Sequence, residues 1–203
     1  MSVNRDPVRD TFAPDAAQTE LSSWSSSMPV PAILLTQFFV ALIGYGFVAR
    51  WYVVPALAGR PLKTALPPLL LPHLVRPVSL WLLAPGVVVQ HGIPRTFAEG
   101  TAYGDLIATA LALIAVVLVR AEARWGVAAA WIFNVVGLLD ALRNCLVGMM
   151  LEAPPHMGAA VFIPAFGVPL LLVSHFLIFK ILIDQRRSRL RVTETSSRAP
   201  SHT

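Results

Sequence analysis

The chain is 203 residues long, 56% hydrophobic and only 13% charged, with a formal net charge of +5 and a pI near 10.1. Ionised groups in that proportion cannot cover a water-facing surface, which excludes an ordinary soluble domain. The basic excess is no nucleic-acid footprint either: it is concentrated in Gln185-Arg186-Arg187-Ser188-Arg189-Leu190-Arg191 beside an apolar block, with no RNA- or DNA-binding motif around it.

Residues 1–27 are rich in Ser, Asp and Thr and lack both an apolar run and a basic stretch leading into one. A cleavable signal peptide is therefore not expected, and the segment reads as a disordered tail. Five apolar blocks follow, at about 31–49, 65–89, 103–119, 126–151 and 158–183. They are apolar on every face and show no period-two alternation, which predicts transmembrane helices and excludes barrel strands. At about 1.5 Å per residue each spans a hydrocarbon core about 30 Å thick, the third only just. The fold expected is an all-α integral membrane protein, a five-transmembrane-helix bundle over 28–187. Short connections make sequential helices antiparallel neighbours, and a basic, polar tail over 188–203 reads as disordered.

The second block is crowded with prolines, at 67, 68, 72, 77 and 85, and contains Pro72-His73-Leu74-Val75-Arg76-Pro77. Pro77 has no N–H for the carbonyl of His73 four residues back, so a kinked or interrupted second helix is expected, with a free acceptor deep in the bundle. His73 and Arg76, three residues apart, share a face. The third block opens near Asp105; the fourth carries Asn134, Asp140, Arg143, Asn144 and the sole cysteine, Cys145, which reads as a small core residue; the fifth carries His175.

Flanking Lys and Arg set the orientation. With the C-terminus inside, 11 of the 16 fall on the cytoplasmic side (Arg50, Arg60, Lys63, Arg120, Arg124, Lys180 and the arginines from 186 to 198) and Arg5, Arg9 and Arg95 fall outside. The N-terminus is then external, in a cytoplasmic (inner) membrane, and the basic C-terminal run meets anionic headgroups at the cytoplasmic face. Trp51, Tyr52 and Trp125 fall at the same interface, as an aromatic belt does.

Ionisable groups within hydrocarbon cost several kcal/mol unless paired or wetted, so they are the best pointers to function. Counted inward from the cytoplasmic edge, His73, Asn134 and His175 all lie at about 12 Å depth. The function expected is an intramembrane polar pocket, bounded by the second, fourth and fifth helices, that binds a small ligand with a polar or anionic head, with transformation or transport of that ligand as extensions of the same reading. Arg76 holds the head, His73 and His175 donate hydrogen bonds or shuttle protons, and Asn134 orients them. Asp105, Asp140, Arg143 and Asn144 read as a structural ion-pair network between the third and fourth helices, with Arg143 facing the two carboxylates and Asp140 also a candidate counter-charge for Arg76. Two other readings stay open: a membrane redox protein or enzyme with haem b ligated by His73 and His175, and a non-catalytic assembly subunit. Met149, Met150, His156 and Met157 are soft metal donors, but methionine is also ordinary apolar filler, and no metal site is expected. No nucleophile elbow, phosphate-binding glycine loop, HExxH or CxxC occurs.

Overall fold

A long apolar stretch has few side chains that can satisfy its own N–H and C=O groups, so it pairs them within itself. In the computed structural model, which describes residues 29–89 and 92–197, every regular element is helical. Five segments are long and apolar enough to cross a membrane: α1 (Val30–Leu57), α2 (Leu62–Leu83), α3 (Arg95–Arg120), α4 (Gly126–Met150) and α5 (Gly158–Arg187). The tail expected over 1–27 lies outside the described residues.

The helix boundaries differ from those expected at several charges and prolines. α1 runs past Arg50, which faces outward, through a π-helical turn at Ala49–Val53, and stops where Gly59 takes a positive φ of 69°. α2 stops at Leu83 because Ala84, which precedes Pro85, is extended. α3 begins at Arg95, directly after Pro94, since Arg95 and Glu99 pair at 2.7 Å on its outer surface and so need no loop. The last helix, Val168–Ser197, carries on through the stretch from Ser188 that reads as disordered; Arg and Leu are good helix formers and no glycine or proline interrupts them.

Side chains are sorted by size. Ala98, Ala102, Ala108, Ala112 and Ala115 of α3 and Ala130, Gly137 and Ala141 of α4 are buried, while Leu139, Leu146, Ile107 and Phe176 face outward. Small residues let helix axes approach closely, so α3 packs along both α2 and α4. One apolar cluster, around Leu66, Leu70, Phe133, Ile178 and Leu182, closes one end of the bundle; another, around Leu82, Phe97, Met157 and Ala160, closes the other. The buried polar residues lie between them. α1 packs chiefly on α5 and the turns leading into it, so the expected α1–α2 pairing is replaced by a gap.

Candidate functional site

Most of α2 is a 3-10 helix, Leu71–Leu83, 13 residues in a geometry that seldom exceeds one turn. Its buried residues are His73, Arg76, Ser79 and Leu82, spaced by three. At three residues per turn these stack on one face; in an α-helix each step would rotate about 60° and put His73 and Leu82 on opposite sides. The 3-10 winding thus assembles a single polar stripe. Pro72 has no N–H for the carbonyl of Leu69 three residues back, and Ser174 Oγ of α5 donates to that carbonyl at 2.5 Å. In 3-10 winding the carbonyl that Pro77 cannot serve is that of Leu74, three residues back, so the free acceptor expected at His73 does not arise there; the His73 carbonyl accepts from Thr109 Oγ1 of α3 at 3.2 Å. The Ser174 hydroxyl of the neighbouring α5 stands in for the donor that Pro72 lacks.

Arg76 is the centre of the buried polar layer. Its Nε donates to Asp105 Oδ1 at 2.7 Å, its Nη2 to Asp140 Oδ2 at 2.6 Å and its Nη1 to the carbonyl of Gly137 at 3.1 Å. Asn144 Nδ2 supports Asp140 at 3.3 Å, and Thr101 Oγ1 and Arg143 Nη1 donate to Asn144 Oδ1. The expected network exists but is centred on the other arginine: Arg143 is exposed and bonds Asn144, whereas Arg76 joins α2, α3 and α4. Gly104 makes this possible, because any Cβ there would collide with the Asp140 carboxylate.

The two histidines meet, as their equal depth suggests. Their ring centres are 4.3 Å apart, with Phe133 packed at 4.8 Å from His73 and 5.5 Å from His175. Asn134 holds His175 at two points: its Oδ1 lies 2.7 Å from Nδ1, and its Nδ2 donates to the His175 carbonyl at 3.2 Å. The second contact assigns the amide and makes Nδ1 the protonated nitrogen, leaving His175 Nε2 an acceptor. His175 Nε2 and both ring nitrogens of His73 are buried without a protein partner. At this spacing the pair does not fit haem b, since metal–nitrogen bonds of about 2 Å on each side of a porphyrin require the rings to face each other across a wider gap.

A cavity of ≈ 250 Å³ fills the gap left between α1 and the 3-10 segment of α2. Its walls are almost entirely apolar, from Leu34 and Phe38 of α1, Leu82 of α2 and Leu171 of α5, with one polar patch formed by Arg76, Ser79, Thr101, Asp105 and Asn144. Cys145 also lines it. Of the four residues expected to bind ligand, Arg76 alone reaches this cavity; His73, Asn134 and His175 sit in the packed layer beyond it, while Asp105 and Asn144, expected to be purely structural, are on its wall. Ser79 was missed, though it completes the 73–76–79 spacing. It is fully buried and its Oγ has no partner. Gly104 and Gly137, which let Asp140 and His175 approach, carry no signal in a single sequence.

No curated protein and no solved structure matches the chain. Its matched span, residues 33–183, contains the whole polar layer and the cavity wall, and over that span the chain belongs to the family described as Domain of unknown function (DUF8737).

Proposed function

We propose that this protein is a multi-pass protein of a cytoplasmic-type membrane, N-terminus outside and C-terminus inside, that binds a small molecule with an apolar body and a polar head in the cavity beside α1. An outward surface of Val40, Ile43, Leu139, Leu146 and Phe176 is stable only where hydrocarbon is the solvent, which supports membrane insertion. The Lys and Arg excess at one set of helix ends supports the orientation, with anionic headgroups as the lipid partner.

The single observation that carries the ligand reading is the cavity's composition: apolar walls and one polar patch, the arrangement small-molecule sites share. The cavity's rim includes the outward-facing Phe39, Val78 and Met149, which gives a lipophile a lateral way in from the bilayer. Binding is favoured over bond chemistry because neither Ser79 nor Cys145, the nucleophile-type groups on the wall, has a base hydrogen-bonded to it. His73, Asn134 and His175 support the patch from behind.

Cys145 supplies the test. As the sole thiol, half-buried and on the cavity wall, it reports occupancy directly. Purified protein in uncharged nanodiscs is labelled with an apolar maleimide, with and without an organic extract of the host's own membranes. Protection by the extract is expected, and labelling at one unchanged rate would refute the proposal.

A further inference from the structure

We infer that the ligand is a compact lipophile of about ten carbons, held within one half of the membrane with its polar end at the midplane. It is not the tail of a membrane phospholipid. This rests on the cavity-binding reading above. A cavity of about 150 Å³ holds one benzene, so one of ≈ 250 Å³ takes a body of about ten carbons. Every wall residue on a helix comes from the half of the bundle where α1, α3 and α5 begin and α2 and α4 end. The wall has nearly the same height on three helices: Phe97 to Asp105 on α3 and Ala141 to Met149 on α4 rise about 12 Å as α-helix, and Val75 to Leu82 on α2 about 14 Å as 3-10 helix. That is one half of a hydrocarbon core about 30 Å thick, the outer half in the proposed orientation.

The two ends of the wall differ. Arg76 and Asp105 stand at the inner end, Asp105 about 15 Å along α3 from its start at Arg95. The other end is closed by Leu82, Phe97, Ala153 and Met157, which are buried together in one apolar cluster. A phospholipid has the opposite polarity: with its head at the interface, it would lay the methyl end of a tail on the Arg76–Asp105 ion pair, and the volume leaves no room for its second chain. A small lipophile entering past Phe39, Val78 and Met149 turns its polar end to the ion pair and fits its body under the apolar cap. Leaving the bilayer for an apolar cavity brings little hydrophobic gain, because both surroundings are hydrocarbon. The gain comes from wall atoms that otherwise face a void, so binding strengthens with each carbon until the cavity is full and then stops.

The test uses the full chain in phosphatidylcholine nanodiscs and two series of probes, the straight-chain alcohols and the fatty acids from hexyl to hexadecyl, compared at equal mole fraction in the bilayer and scored by protection of Cys145 from maleimide. With at least one of the two heads, protection is expected to strengthen roughly tenfold up to about ten carbons and to gain nothing beyond. Leu34→Phe, at a buried wall position in neither apolar cluster, is expected to move that break to about seven carbons, while the melting temperature holds or rises because the ring fills part of the void. Leu171→Phe, also buried on the wall, carries the same expectation, and Ile107→Phe, which faces outward, is expected to change nothing. Protection that keeps rising to hexadecyl overturns the inference, as does a break that neither wall variant moves. A Cys145 that is unreactive in nanodiscs and becomes reactive when the lipid is exchanged for a steroidal detergent gives the cavity to a phospholipid tail and overturns it too. Protection by the membrane extract with no break in either series also overturns it while the cavity-binding proposal stands; protection by neither extract nor probes removes both.

Discussion

Nε of Arg76 donates to Oδ1 of Asp105 at 2.7 Å, binding the middle of α2 to the middle of α3, and the same guanidinium reaches Asp140 on α4 at 2.6 Å. Removing it leaves two carboxylates facing each other in a buried layer. Arg76→Ala is therefore expected to lower unfolding free energy by about 3–5 kcal/mol, the cost of orphaning a buried ion pair, with Arg76→Lys intermediate because an ammonium cannot serve three acceptors in one plane. Arg143→Ala, at an exposed position, is expected to stay within about 0.5 kcal/mol. Steric-trapping or denaturant unfolding in bicelles measures both. Equal effects at the two arginines would mean that the network is not centred on Arg76.

Close approach of α3 and α4 makes a second prediction. A Cβ at Gly104 would overlap the Asp140 carboxylate, whereas one at Gly44 on α1 meets nothing within 4 Å. Gly104→Ala is expected to cost about 2 kcal/mol or more by displacing Asp140 from Arg76, and Gly44→Ala to be neutral or to gain up to about 1 kcal/mol from helix propensity. Melting temperatures of the two variants decide it.

How far the site could be read from residues alone follows from what each inference needed. Five membrane-length helices needed only hydropathy, and the meeting of His73 with His175 needed only counting from the helix ends. The prolines mark α2 as irregular but not as 3-10, so they do not show that the acceptor orphaned by Pro77 is at Leu74 and not at His73. The partner of Arg76 was harder. Asp140 lies three residues from Arg143 on the same helix, and local spacing favoured that pair; the pairing found instead depends on Gly104 and Gly137 letting three helices converge, and on α2 winding as a 3-10 helix. The cavity depends on α1 standing off from α2, a tertiary choice for which the apolar, featureless α1 has no marker.

Asymmetry between the histidines supplies a third prediction. His73 makes no side-chain hydrogen bond, whereas His175 Nδ1 is paired with Asn134. His73→Phe removes two buried unpartnered nitrogens and keeps an aromatic ring against Phe133, so the melting temperature is expected to hold or rise. His175→Phe orphans the Asn134 carbonyl oxygen and is expected to cost about 1–3 kcal/mol. A large loss in His73→Phe would instead reveal a polar occupant on those nitrogens.

The winding of α2 is itself measurable, because 3-10 and α geometry bury different positions. In a Cys145→Ala background, single cysteines placed from 71 to 83 and labelled with a lipid-soluble maleimide too bulky to enter the cavity are expected to be protected at 73, 76, 79 and 82 and reactive at 75, 78 and 81, where Val75, Val78 and Trp81 face outward. That is a strict period of three. An α-helix would instead give a period of 3.6, so that the protected stripe drifts round the helix by about 60° at each three-residue step and leaves either 73 or 82 exposed. The second pattern would remove the alignment of His73, Arg76 and Ser79 on one face, and with it the single polar stripe along α2.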